Sequence, residues 1–407
     1  MPDIGGARAF DGLRAEGSVH KRDPVPDNGR MTSAPRVVLA SDKFKGSLTA
    51  PEVAAALARG IASVLPSADL RSVPVADGGE GTVDAFVAAG WERVGLTAPG
   101  PTGQLSETSY AVRGDTAVVE LAAVAGLTKL PGGAKDPLGA STFGLGIVIG
   151  HALDAGAREI VLGLGGSAST DGGAGMLQAL GARLLDAYGD DVPLGGAALA
   201  RAARLDTEAV RERVGSATFT LACDVDNPLL GPRGAVEVYG PQKGADPEQR
   251  AILEAALENW ATIAGPAFAD LPGAGAAGGT GFAALAVLGA RVRSGIDIIL
   301  DLLDFATQAS GADLVVTGEG ALDEQSLHGK APIGVCAAAG DVPVVAAVGR
   351  TLLSPERLRE AGFTACYALT DLEPDPARCI ADAARLLEEL GARIAVDQLA
   401  GSTAGNS

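Results

Sequence analysis

Short apolar runs punctuate this chain, each followed by a polar loop and then by a segment with helical spacing. Val37-Val38-Leu39-Ala40 is the first such run and reads as a buried strand. The loop Ser41-Asp42-Lys43-Phe44-Lys45-Gly46-Ser47 follows, and Thr49, Pro51 and Glu52 mark the start of a helix running to about Leu65. A second unit comes at once: a strand ending near Val75, the loop Ala76-Asp77-Gly78-Gly79-Glu80-Gly81-Thr82, and a helix to about Ala89. Residues 91–125 read as several strands, among them Thr116 to Leu121. A helix from about Ser141 to Ala155 leads to the strand Glu159 to Leu162 and the chain's richest glycine loop. Further strands are expected at Thr218 to Cys223, Asp313 to Thr317 and Val344 to Val348, with a helix after Pro332 and a last helix from about Pro376 to Asp397. Strands alternating with helices predict an α/β fold with a mostly parallel sheet, whose ligands sit at the carboxyl ends of the strands.

Composition narrows the partners. A chain of 407 residues accommodates two domains, each with its own core. The net charge of -18 excludes nucleic acid and an anionic membrane surface as partners. It leaves ATP open, because Mg²⁺ and a few local Lys or Arg side chains set the field in a pocket. Cys223, Cys336, Cys366 and Cys379 are scattered without C-x-x-C spacing, which predicts idle thiols in a reducing, cytoplasmic setting. No apolar run is long enough to span a bilayer. The first 30 residues mix charge, Gly and Pro without an apolar core. They are expected to belong to a disordered extension over residues 1–34, upstream of a start at Met31; the Gly/Ser/Thr-rich tail after Leu399 is expected to be disordered too.

The loops carry the chemistry. Gly163-Leu164-Gly165-Gly166-Ser167-Ala168-Ser169-Thr170-Asp171-Gly172-Gly173 lies between a strand and a helix, with five glycines in eleven residues. Such a loop lets backbone N–H groups close around an anion, with the hydroxyls of Ser167 and Ser169 as further donors. One or two glycines would read simply as a tight turn. The loop is neither G-x-x-x-x-G-K-[ST] nor the dinucleotide G-x-G-x-x-G. Asp77 and Glu80 sit three residues apart at a helix start and suit either Mg²⁺ or a substrate hydroxyl, though a helix cap explains Glu80 equally well. Glu319 and Asp323 repeat the theme after another strand, Lys330 follows Gly329, and Asp224 again follows a strand. Lys43 and Lys45 stand beside Asp42 in a strand-end loop. His328 is a candidate base; His20 and His151 carry no functional reading. Carboxylates, lysines and glycines at five strand ends, with no Cys/His cluster and no G-x-S-x-G elbow, match phosphoryl transfer, which needs positioning and charge neutralisation above all.

The same segments resemble the bacterial glycerate kinases of the first type. The resemblance lies in Ala40–Ala50, Pro74–Thr82, Gly163–Met176, Asp224–Ala235, Tyr239–Ala245 and Gly318–Val335, in order, over roughly residues 36 to 390. It implies ATP-dependent phosphorylation of D-glycerate, usually to 2-phosphoglycerate. It also implies two α/β domains: a Rossmann- or flavodoxin-like domain from residues 35–75 plus 290–398, and an inserted α/β domain over 76–289 with the site between them. Carried onto this chain, it places Asp42, Lys45, Asp77 and Asp171 in catalysis. Lys43, Ser47, Gly78, Gly79, Glu80, Gly165, Gly166, Ser167, Ser169, Asn227, Lys243, Glu319, Asp323 and Lys330 would bind substrate or phosphate, with Asp77 and Asp224 on Mg²⁺. Two positions depart from the pattern: Ser41 stands where the family often has proline, and Ala321 where it commonly has a basic residue. Rival readings are a kinase of another hydroxy acid or sugar acid, akin to the galactokinase–homoserine kinase group, and a nucleotide-dependent oxidoreductase or ligand sensor. Monomer and homodimer both remain open.

Overall fold

The structure is a computed structural model that describes residues 34–327 and 330–400. The expected N-terminal extension up to residue 33, the candidate base His328, and the tail from residue 401 lie outside the described residues. In chain order the strands are β1 Arg36–Ser41, β2 Asp69–Ser72, β3 Glu92–Pro99, β4 Leu105–Arg113, β5 Thr116–Glu120, β6 Glu159–Gly163, β7 Arg183–Asp186, β8 Ala202–Asp206, β9 Thr218–Ala222, β10 Arg291–Arg293, β11 Leu314–Gly318, β12 Ala321–Leu322, β13 Val344–Val348, β14 Arg350–Thr351 and β15 Ala365–Ala368.

Five strands form a parallel sheet in the order β15-β13-β11-β1-β2. Six form a second sheet, β10-β9-β6-β5-β4-β3, antiparallel only where β5, β4 and β3 pair. The first sheet draws on both ends of the described chain and the second on its middle. In the first sheet β1 lies between β2 and β11, so the strand order turns at its carboxyl end. Crevices at such switch points are where open α/β sheets take ligands. Ser41 pairs with Gly318 as the last register pair, and the Asp42 N–H donates to the Gly318 carbonyl at 2.9 Å. The loops that begin at Asp42 and Glu319 therefore leave the sheet side by side.

Both faces of β1 are buried, which is why its residues read as a continuous apolar run. Val37 and Leu39 join Val53, Leu57 and Ile61 of the helix Ala50–Val64 and Leu386, Leu387 and Leu390 of the helix Ala383–Ile394. Val38 and Ala40 face a second cluster that also takes in Ala111, Val118, Val161 and Ala222 of the six-stranded sheet. That cluster is a core layer common to both sheets. A third, around Leu145, Leu162, Leu177, Leu257 and Trp260, covers the far face of the six-stranded sheet.

Two boundaries differ from the sequence expectation. Ladder assignment of β2 stops at Ser72, yet Val73 and Val75 still donate to Leu39 and Ser41, so the extended chain does reach Val75. The expected last helix is two, Pro376–Ala381 and Ala383–Ile394, broken at Asp382 with φ -105 and ψ 17. Asp382 makes no side-chain cap bond there, and its carboxylate pairs with Arg385 at 3.7 Å.

The helices Ala50–Val64 and Ala383–Ile394 approach through Gly60 and Gly391. A methyl at Gly60 would run into the Glu388 carbonyl, and one at Gly391 into the Leu57 carbonyl. Gly60→Val is therefore expected to cost about 1–3 kcal/mol or more of stability through overpacking, measured by denaturant unfolding. An unchanged unfolding midpoint would mean the helices can part freely at this crossing.

Candidate active site

The cleft between the two sheets has two compartments. The larger, about 670 Å³, is bounded by the loops after β1, β11 and β13 together with Asp77, Gly79, Glu80, Gly165 and Gly166. The smaller, about 320 Å³, is bounded by Gly165–Ser167, the segment after β9, Tyr239, Lys243 and Ala277. Asp77, Gly79, Gly165, Gly166 and Lys330 line both. The structure thus brings Asp42, Lys43, Lys45, Ser47, Asp77, Gly79, Glu80, Gly165, Gly166, Ser167, Asp224, Lys243, Glu319, Asp323 and Lys330 to one cleft.

The seam of this cleft is made of backbone. Gly163 presses on the Gly78 carbonyl so closely that a methyl there would collide with it, and a Cβ on Gly165 would lie 2.5 Å from the Gly79 Cα. The Gly165 N–H donates to the Gly78 carbonyl at 3.3 Å. Much of the glycine content of the 163–173 loop therefore serves close packing, while Gly165, Gly166 and Ser167 remain on the cleft wall. Asp77 is fixed beside this contact, its Oδ1 accepting from the Gly79 N–H at 3.1 Å.

Asp171, expected among the catalytic carboxylates, lies elsewhere. It is wholly buried, lines neither compartment, and its carboxylate accepts from Ser141 Oγ, the Thr142 N–H and hydroxyl, and the Gly173 and Gly175 N–H groups. A carboxylate so saturated ties the glycine loop to the start of the helix Phe143–Asp154. Ser169 is likewise buried: its carbonyl accepts from Lys243 Nζ at 2.5 Å, and its hydroxyl has no partner. Lys243 is buried beneath the smaller compartment, and burial pushes its ammonium down to about 7 against the upward pull of Asp171. Asn227 also stands apart from the cleft lining, donating to the Arg233 carbonyl at 2.7 Å and accepting from the Tyr239 hydroxyl at 2.6 Å.

Carboxylates crowd what remains. Burial raises Asp42 to about 7, with the Asp77 and Glu319 charges adding to the rise and Lys43, 3.8 Å away, opposing it. Desolvation raises Asp224 to about 6, opposed by the Gly295 N–H it accepts at 2.7 Å and reinforced by Asp77. Glu319 is raised by burial, and its Oε1 has no hydrogen-bond partner. Several carboxyls held short of full charge around one cleft form a place for cations and for hydroxyl protons. Asp323 spends its Oδ1 on the Gln325 and Ser326 N–H groups, which shapes the turn before Lys330. Opposite, Ala277, Gly278 and Gly279 are consecutive left-handed residues with φ 52, 67 and 88. Ala277 lines the smaller compartment, and a non-glycine residue held this way marks backbone strain at a site.

Two contributors escaped sequence reasoning. Glu120 is buried, is raised to about 7 by desolvation, and accepts from the Gly81 and Val83 N–H groups at 3.2 and 3.0 Å, which anchors the Asp77–Glu80 loop. Its signal was a carboxylate between Val119 and Leu121 at the end of an apolar strand. Arg350 lines the larger compartment and stands after a strand without any motif of its own. Among the described residues no group of three or more His, Cys, Asp or Glu is arranged to hold a metal, and no helix is long and apolar enough to cross a membrane.

A parallel-sheet α/β protein whose glycine and carboxylate loops meet in a two-compartment cleft belongs to the class of small-molecule phosphotransferases. The chain is a member of the glycerate kinase family, whose profile matches residues 37–398. It is 45% identical to the glycerate kinase of Bacillus subtilis over 82% of this chain and 90% of that one. It is also 45% identical to the glycerate 2-kinase of Escherichia coli, over 74% of this chain and 81% of that one. The crystal structure of a putative glycerate kinase 2 from Salmonella typhimurium superposes with a TM-score of 0.79 at 40% identity, covering 91% of this chain and all of that one. Family membership sets aside the oxidoreductase and sensor readings.

Two outcomes follow from the buried acids. Asp171→Ala is expected to cost about 3–5 kcal/mol of stability, because it orphans five donors and leaves Lys243 buried without its counter-charge; a denaturant melt within error of the parent would disprove the anchoring role. Asp42 keeps a proton in the native state between about pH 4 and 7 that the unfolded chain releases, so stability falls as pH rises through that window. Asp42→Asn is accordingly expected to melt like the parent near pH 4 and about 1–3 °C above it near pH 8. Equal melting at both ends of the range would mean that the carboxyl ionises normally.

Proposed function

We propose that this protein phosphorylates D-glycerate with ATP, giving 2-phosphoglycerate. The observation that carries the reading is the meeting of Asp77, Gly79, Gly165, Gly166 and Lys330 on the boundary of both compartments, which leaves one place where two bound substrates can react. The likeness to the glycerate 2-kinase of E. coli supports the choice of the 2-hydroxyl.

In this reading the backbone of Gly165, Gly166 and Ser167 cradles phosphate, while Lys45 and Lys330 offset its charge. Asp77 accepts the 2-hydroxyl proton as that oxygen bonds to the γ-phosphorus and the bond from the γ-phosphorus to the bridging oxygen breaks, releasing ADP. Ser169, Asp171 and Lys243 act from beneath by holding the loop in shape, and Asn227 steadies Tyr239. Magnesium would be held by Asp77 and Asp224 with the remaining positions filled by phosphate oxygens and water, the usual manner for Mg²⁺ in kinases. Two neighbouring carboxyls, one of them raised to about 6 partly by the other's charge, fit a cation of that kind. When bound, it neutralises the charge on the phosphate chain. In the same proposal the chain divides into domains over residues 35–75 plus 290–398 and 76–289, except that β10, Arg291–Arg293, pairs with β9 and so belongs with the sheet of the inserted domain.

An ADP-release assay with Mg·ATP and D-glycerate, with the product read by phosphorus NMR, is expected to give turnover and 2-phosphoglycerate. Folded protein without turnover would send the search to other hydroxy acids. Asp77→Asn is expected to lower kcat by about 10²–10⁴ while the fold persists, and retention of full turnover would remove Asp77 from the chemistry.

A further inference from the structure

We propose that the nucleotide takes the larger compartment, its base against Leu369, Pro376 and Ile380 and its phosphate chain reached by Arg350, leaving the smaller compartment to the hydroxy acid. The proposal rests on the kinase reading and adds to it which compartment each substrate enters and a cation absent from every motif.

Size is the first argument. One compartment is about 670 Å³ and the other about 320 Å³, while ATP is several times larger than glycerate. The character of the walls is the second. In the smaller compartment Ser167 and Lys243 offer donors for a small carboxylate, and Asp77 and Asp224 offer acceptors for its hydroxyls. The larger has an apolar end where the helix Pro376–Ala381 packs beside Leu369. Ile380 is 53% exposed on that wall, an apolar side chain left facing open space at the mouth of a polar cleft. A flat heteroaromatic base is the part of either substrate that would cover it.

Charge is the third argument. Arg350 has its backbone pinned: its N–H donates to the Gly320 carbonyl at 3.2 Å, the preceding Gly349 N–H donates to the Glu319 carbonyl at 3.1 Å, and Ala321 is its register partner across β12 and β14. The guanidinium has no carboxylate within ion-pair distance among the described residues, although acids outnumber bases in the chain. Ala321 lines the same larger compartment. An exposed guanidinium without an ion pair among the described residues, carried on a pinned backbone between an apolar wall and the Lys45–Lys330 region, matches the phosphates of a nucleotide whose base lies on that wall.

The test uses the full chain and two surface variants, Ile380→Asp and Arg350→Gln, with binding of a fluorescent ATP analogue measured without glycerate beside the two KM values. Both are expected to weaken analogue binding and raise KM for ATP by about tenfold, with KM for glycerate unchanged. Inhibition by inorganic tripolyphosphate, which has no base, should weaken in Arg350→Gln alone. Parent-like ATP binding in both variants overturns the assignment, as does a shift that falls on glycerate instead. Ile380→Ala, checked by thermal melting, replaces the aspartate variant if that one misfolds, with a smaller shift in the same direction expected. If the parent binds the analogue but turns over no glycerate, the acceptor reading fails while the compartment assignment is still decided by binding.

Discussion

The contact on which the rest depends is the meeting of two side-chain-free turns. The chain leaving the five-stranded sheet through Val75 passes as Asp77-Gly78-Gly79 over the end of the six-stranded sheet, and Gly163 and Gly165 receive it backbone to backbone. A Cβ on Gly78 would lie 2.7 Å from the Ala222 carbonyl at the end of β9. Only glycine lets the strands β6 and β9 come this close to the crossing chain. Asp77, Gly165 and Gly166 take their places in the cleft from that contact, and Glu120 holds its far side through the Gly81 and Val83 N–H groups.

The packing behind the cleft sets how the two halves relate. The layer containing Val38, Val118, Val161, Ile299 and Val315 draws on both sheets, so behind the cleft the two halves share apolar core. A continuous core of this kind resists hinge opening at its own level.

Much of this was legible in the residues. Apolar runs such as Val37–Ala40 and Val344–Val348 are strands because both faces are buried, and Thr49 with Glu52 announces its helix through a bond between the two at 2.8 Å. The helix Pro247–Ala264 carries an equally plain start, with Asp246 accepting from the Gln249 N–H, although it drew no assignment from sequence. Site membership was readable wherever carboxylates and glycines cluster after a strand. Roles within the site were not. Asp171 looks like any strand-end carboxylate until its five donors are seen, and Lys243 looks like a solvated surface charge until its burial is known. Local sequence alone does not distinguish an acid that will be saturated from one left open, because three of the five donors to Asp171 come from Ser141 and Thr142, about thirty positions away. Arg350 was silent for a related reason: its place follows from the pairing of β12 with β14, a register that a short polar stretch does not encode.

The strand order also has a consequence for synthesis. β1 is an interior strand of its sheet, yet its neighbour β11 follows it by 277 positions, as the pairing of Val37 with Leu314 shows. At about 5–20 residues per second a ribosome needs roughly 15–55 s to cover that interval. Throughout it, an apolar strand with both edges and both faces meant for burial has β2 and one helix for company. The middle of the chain, with its own sheet and core, can condense meanwhile. β1 thus waits for β11 with an apolar edge open, and an edge of that kind is a template for wrong pairing until the later strands are made.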